Sequence, residues 1–207
     1  MTSTIDLAEM TPGFSDPVFD SQAVFRAILD ALAHPGIIAN LPVALHSPVP
    51  HFQAQAAMAL TLLDFETRVF VDPTLGGDSL RNWLRFHCGC PIAETPDAAA
   101  FAFVGAATMP ALSQFNQGDP KYPDRSTTII IGCEALSGGA QRWLEGPGMA
   151  SQIAVGAVGL SSDLWAQLHA NRATFPLGVD VILASENRII GLPRTVRVAA
   201  QAGPGEK

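Results

Sequence analysis

Few residues in this chain are of types that do chemistry, and they fall into short clusters. The segment Asn116–Ser126, NQGDPKYPDRS, carries Lys121 and Arg125 beside Asp119 and Asp124. Arg194 stands between Pro193 and Thr195, and Arg81 and Arg85 lie four apart, on one face of a helix. Any of these cations could hold a phosphate, an arginine doing so through two parallel hydrogen bonds. The plainer alternative is an ion pair at the surface. Ligand sites concentrate in irregular segments, so an anion site is expected near Lys121, Arg125 or Arg194.

A second cluster is His87, Cys88 and Cys90, with Cys133 a further thiol. Three soft ligands so close together could bind zinc. Ligands at i, i+1 and i+3 lack the usual gap of two or more residues, however. The alternative is a helix end followed by buried thiols that act as small hydrophobes. No metal is assigned. His34, at another helix end, is read as a cap-region residue.

Several chemistries leave no trace in the sequence. It has no GxxxxGK[ST], no GxSxG and no HExxH. Gly146–Ser151 matches a dinucleotide fingerprint in two glycines only. A pyridoxal enzyme needs a Schiff-base lysine. Lys121 and Lys207 are the only lysines, and Lys121 lies in a polar loop. No cofactor is expected.

The elements that must position these groups follow from periodicity and turn residues. Asp16-Pro17 opens a helix, Val18 to Ala33, which His34-Pro35-Gly36 stops. Further helices are expected from Pro50 or His51 to Asp64, from Ser79 to His87, and from Ser161 or Ser162 to Asn171. A short one is expected over Met109–Phe115. Strands are expected at Ile37–Leu41, Arg68–Val71, Ala99–Gly105, Thr127–Cys133, Arg142–Glu145, Val179–Ala184, Ile189–Leu192 and Thr195–Val198. The Gly-rich run Ile153–Leu160 takes no assignment. Several strands are solid apolar runs, which implies burial on both faces. The chain is therefore expected to be one α/β domain over residues 16–198, with a central mixed sheet between helices. Residues 1–15 are a ragged leader and 199–207 a tail.

Of 207 residues, 48% are apolar and only 15% charged, with a net charge of −7. Disorder is excluded by that composition. The acidic balance argues against nucleic acid and anionic membrane as partners. Ala31–Leu63 and Ala98–Gly118 are long and uncharged, but prolines and glycines break them. MTSTIDLAEM lacks the basic and apolar regions of a signal peptide, and three cysteines make no disulfide framework. A cytoplasmic protein is expected. Average domains carry about 25% charged residues. The shortfall suggests a covered surface, hence a symmetric homodimer. Trp83, Arg81, Met109, Phe115 and Trp143 are candidate contributors.

Four segments resemble one family. They are DPVFDSQAVFRAILDALAHPG, RFHCGCP, YPDRSTTIII and FPLGVDVILASENRIIGLPRT, in that order across residues 16–198. The chain is identified as a member of the PhnH family, the H subunits of the carbon–phosphorus lyase core complex. The resemblance implies a three-layer αβα sandwich, similar to pyridoxal-phosphate transferases but without their cofactor site. It implies bacterial phosphonate catabolism in the cytoplasm, in assembly with the G, I and J subunits. With G, I and the ATPase-like L protein, such a subunit supports transfer of ribose triphosphate from ATP to a phosphonate, releasing adenine. Radical cleavage of the carbon–phosphorus bond belongs to J, and the nucleosidase chemistry to I. No catalytic residue carries over. Two readings stay open: a structural, interaction subunit, or a catalytic subunit lending ATP- or phosphonate-binding residues.

Overall fold

The computed structural model describes residues 10–47, 49 and 52–199. Most of the leader, the expected start of the second helix at Pro50 or His51, and the tail from residue 200 lie outside the described residues.

The first helix, α1, runs Pro17–Ala33. Asp16 caps it as its sequence suggests, its carboxylate accepting the Phe19 N–H at 3.2 Å. Then come β1 (Ile38–Asn40), α2 (Gln53–Leu62), β2 (Val69–Val71) and α3 (Gly77–Cys88). Gly89, left-handed at φ 64°, ends α3. Next are β3 (Phe101–Gly105), β4 (Thr128–Gly132), β5 (Arg142–Glu145) and β6 (Ile153–Val155). The chain continues through α4 (Ser162–Ala173), β7 (Asp180–Ser185), β8 (Arg188–Leu192) and β9 (Arg197–Val198). The Ser161 hydroxyl caps α4 by accepting the Leu164 N–H at 3.1 Å.

Six strands form the central sheet in the order β1-β8-β7-β4-β3-β2. Strands β2, β3, β4 and β7 are parallel, and β8 turns back antiparallel between β7 and β1. Alternate residues face opposite sides. On one side, Val69, Val71, Phe103, Ile130 and Ile182 pack with Val24 and Ile28 of α1, Met58 of α2, and Trp83 and Leu84 of α3. On the other, Ala102, Val104, Ile129, Ile131, Val181 and Leu183 pack with Leu164, Trp165 and Leu168 of α4. Leu144 and Val155 join that second core from a small sheet, β6-β5-β9. Burial on both faces is why these strands read as unbroken apolar runs.

Several expectations need correction. The outer layer on the second face is one helix plus a three-stranded sheet, not helices alone. Residues Met109–Phe115 make only a 3-10 turn, Leu112–Gln114, because Met109-Pro110 interrupts the backbone ladder. The last strand is shorter than the expected Thr195–Val198, covering Arg197–Val198, and pairs with β5. Trp83 and Phe115, offered as interface residues, are core residues at 0% and 2% exposure. A run of exposed apolar residues lies instead on α1, where Val18, Phe25 and Leu29 repeat at helical spacing beside Phe19. Ile37 and Ile38 extend it to the sheet's β1 edge.

Candidate functional site

Of the residues singled out by sequence, Arg194 and the loop that carries Lys121 and Arg125 meet at the amino edge of the parallel strands. Thr128, which opens β4, is in register with Asp180, which opens β7. Val181 pairs with Leu192 of β8, so the chain leaving β8 carries Arg194 back past Asp180. The Arg194 side chain there meets a full set of acceptors. Its Nε and Nη2 donate to the two Asp180 carboxylate oxygens at 3.2 and 2.6 Å. Its Nη1 donates to the carbonyls of Pro123 and Pro176 at 2.8 and 3.3 Å. Nη2 also donates to the Ser126 hydroxyl, and the Arg194 backbone N–H reaches Asp180 at 2.8 Å. A guanidinium has five N–H donors, and the chain's own acceptors take all five. Arg194 therefore fastens the Asn116–Ser126 loop and the Thr174–Gly178 turn to the sheet, with no donor left for an external anion.

Lys121 and Arg125 remain available on that fastened loop. Arg125 stacks over the Tyr122 ring at 4.0 Å, and the Lys121 ammonium lies 5.1 Å from the same centroid. The Asp119 carboxylate accepts the backbone N–H groups of Lys121 and Tyr122 at 2.8 and 2.9 Å. Among the described residues neither Lys121 nor Arg125 forms an ion pair. The loop is tight: at Gly118, φ +76°, a Cβ would fall 2.7 Å from the Pro123 carbonyl.

The soft-ligand cluster does not converge. His87 Nε2 lies 3.1 Å from the Thr11 carbonyl, which also accepts from the Trp83 indole at 3.0 Å. The Cys88 and Cys90 thiols turn to the Ala59 and Leu84 carbonyls at 3.7 and 3.8 Å. The Cys90 thiol beside it, together with burial, pushes the Cys88 thiol up, while Cys88 holds Cys90 down. Cys133 lies apart, in the second core rather than the first. Among the described residues no three His, Cys, Asp or Glu side chains gather for a metal.

The opposite, carboxyl edge carries a feature that sequence reasoning missed. Strands β2, β3 and β4 end at Val71, Gly105 and Gly132, and a cleft of about 620 Å³ opens there. Val49, Phe52 and Gln55 line it from the start of α2, Thr74, Leu75 and Gly76 from the turn before α3, and Gly132, Cys133 and Glu134 from the end of β4. Below it, Asp72 accepts hydrogen bonds from the Thr74 N–H at 2.9 Å, the Thr74 hydroxyl at 2.8 Å and the Thr108 hydroxyl. Burial raises the Asp72 carboxyl, but these bonds outweigh it and hold the group below its ordinary value. Burial pushes the Cys133 thiol up to about 12, so it is uncharged at neutral pH. Signals for this edge did exist. A β-strand followed by Asp72-Pro73-Thr74 and Gly76-Gly77 opening a helix is one, and Gln55, flanked by alanines in α2, is another.

Together these features define an α/β protein with a mixed central sheet, an open carboxyl-edge cleft and a cationic loop clamped at the amino edge. The family model for bacterial phosphonate metabolism protein (PhnH) matches residues 12–199, and the chain belongs to that family. It is 42% identical over 189 residues to the PhnH subunit of alpha-D-ribose 1-methylphosphonate 5-triphosphate synthase from Rhizobium meliloti (strain 1021), covering 89% of this chain and 93% of the relative. It is also 27% identical over 180 residues to HtxG of Stutzerimonas stutzeri, provisionally named a C-P lyase subunit, covering 86% and 85%.

Proposed function

We propose that this chain is the H subunit of a ribose 1-methylphosphonate 5-triphosphate synthase in bacterial phosphonate catabolism. In that role it supports transfer of ribose triphosphate from ATP to a phosphonate, with release of adenine. The observation that carries this reading is the 42% identity to the Rhizobium subunit across nearly the whole of both chains. On this reading residues 16–198 fold as one domain of the cytoplasm, related to pyridoxal-phosphate transferases. Support for that kinship is a parallel sheet closed by antiparallel strands, and Lys121 as the only internal lysine fits a fold without the cofactor site.

The subunit is structural rather than catalytic by itself. Its best-placed arginine, Arg194, is fully committed to the fold. What its surface offers is contact area: the apolar stripe of α1, with Ile37 and Ile38, suits a homodimer alone and the G, I and J subunits in the assembly. Light scattering of the isolated chain tests the first contact. A mass near 21.8 kDa would refute the dimer, and twice that mass, lost in the Phe19→Glu variant, is expected. Lys121 and Arg125 form the anion-facing part of the surface, without Arg194.

A further inference from the structure

We propose that the carboxyl-edge cleft is a binding site for a phosphate-type oxyanion, held between the amino terminus of α3 and the side-chain amide of Gln55. Gln55 is 2% exposed and lines the cleft, yet its Nε2 has no hydrogen-bond partner among the described residues. A buried amide donor left unpaired is costly, and a ligand oxygen in the cleft would relieve that cost. Across from it, α3 begins at Gly76 with no side-chain cap. Among the described residues the N–H groups of Gly76, Gly77 and Asp78 have no acceptor. Bare N–H groups at a helix start, with the helix dipole behind them, are suited to tetrahedral oxyanions.

Two glycines bring these donors close. At Gly132 a Cβ would fall 2.9 Å from the Gln55 side-chain oxygen, so only glycine lets the amide lie against the end of β4. At Gly76, φ +62°, a Cβ would fall 2.2 Å from Val49, which walls the cleft. The apolar walls Val49, Phe52 and Leu75 lower the local dielectric and strengthen hydrogen bonds to charge. The neutral Cys133 thiol adds no repulsion. The Asp72 oxygens are occupied by Thr74 and Thr108. Glu134, in the cleft lining, and Asp78, in the first turn of α3, are both exposed, so solvent screens them. Ligands of open α/β sheets bind at this edge of the strands. The site stands whether or not the chain works in a phosphonate-processing assembly.

The test is a titration of the full chain, labelled with nitrogen-15, with inorganic phosphate and separately with tripolyphosphate. Resonances of Gly76, Gly77 and Asp78 and the Gln55 side-chain amide are expected to move together. The isosteric Gln55→Leu variant, which keeps the core filled, should weaken binding about tenfold, the worth of one hydrogen bond to a charged group. A Lys121→Ala/Arg125→Ala double variant should leave these shifts in place. Shifts confined to the Lys121–Arg125 loop, or none up to about 10 mM, would overturn the site. Unchanged affinity in Gln55→Leu would overturn it as well.

Discussion

Arg194→Ala should be among the more damaging single changes in this protein. The Arg194 and Asp180 side chains are only 13% and 23% exposed. Truncation leaves Asp180 with the Arg194 backbone N–H alone, and strands the Pro123 and Pro176 carbonyls and the Ser126 hydroxyl. Breaking a fully buried pair costs about 3–5 kcal/mol. Residual solvent access to Asp180 lowers that to roughly 2–4 kcal/mol. For a chain of this size the melting temperature should fall by roughly 4–16 °C, taking about 2–4 °C per kcal/mol. Arg194→Lys keeps the charge but has three donors on a flexible stem, and cannot reach Asp180, Pro123, Pro176 and Ser126 together. It should recover less than half of the loss. Urea unfolding of Arg194→Ala, Asp180→Asn and the double variant gives the coupling energy, expected above ~1.5 kcal/mol. Hydrogen exchange in residues 116–126 should quicken in Arg194→Ala, since the loop loses its fastening. A coupling below ~0.5 kcal/mol, or Arg194→Lys as stable as wild type, would refute the five-acceptor account.

Gly191→Ala should destabilise by about 3 kcal/mol, at the upper end for overpacking. Its Cβ would fall 2.3 Å from the Ala31 carbonyl of α1, backbone that cannot step aside. Equilibrium denaturation reads this, and a loss under ~0.5 kcal/mol would contradict that packing. Asp72 has a carboxyl held below its ordinary value. Its contribution is therefore fully present above the unfolded value, near 3.8, and is lost as pH falls through the lower folded value. Thr108→Val should shrink that acid-labile share, seen as a smaller difference in stability between pH 6 and pH 2. Equal differences in the two proteins would argue against the Thr108 bond. With its thiol pushed up to about 12 and buried, Cys133 should resist alkylation at pH 8 in the native protein and react on unfolding. Mass spectrometry of labelled peptides checks this, and rapid native labelling of Cys133 would count against the buried position.

What sequence made legible was local. Asp16-Pro17 and Ser161 start helices because a side-chain oxygen satisfies an open N–H, and that needs only neighbours in the chain. TTIIIGC reads as a strand because burial on both faces demands apolar residues at every position. Arg194 was offered as an anion-site candidate, but its role depends on Pro123, Ser126, Pro176 and Asp180, which the fold brings from three segments. Residue spacing cannot show that an arginine's donors are already taken. The cleft was missed for a related reason. Gln55 sits in a helix that reads as plain core, and its unpaired amide becomes visible only when β4 ends against it at Gly132. A helix was expected from Ser79, but without strand order nothing showed that its start faces a cleft. Trp83 and Phe115 were misjudged as contact residues because composition counts aromatic residues without saying which face they take.

On the proposed reading this chain is a required, non-catalytic subunit of the synthase. The direct test is formation of ribose 1-methylphosphonate 5-triphosphate from ATP and methylphosphonate. The assay compares the remaining subunits alone, this chain alone, and the reconstituted assembly. That product is expected only from the reconstituted assembly. Its full formation without this chain would contradict the chain's required place, and its formation by this chain alone would contradict the non-catalytic role.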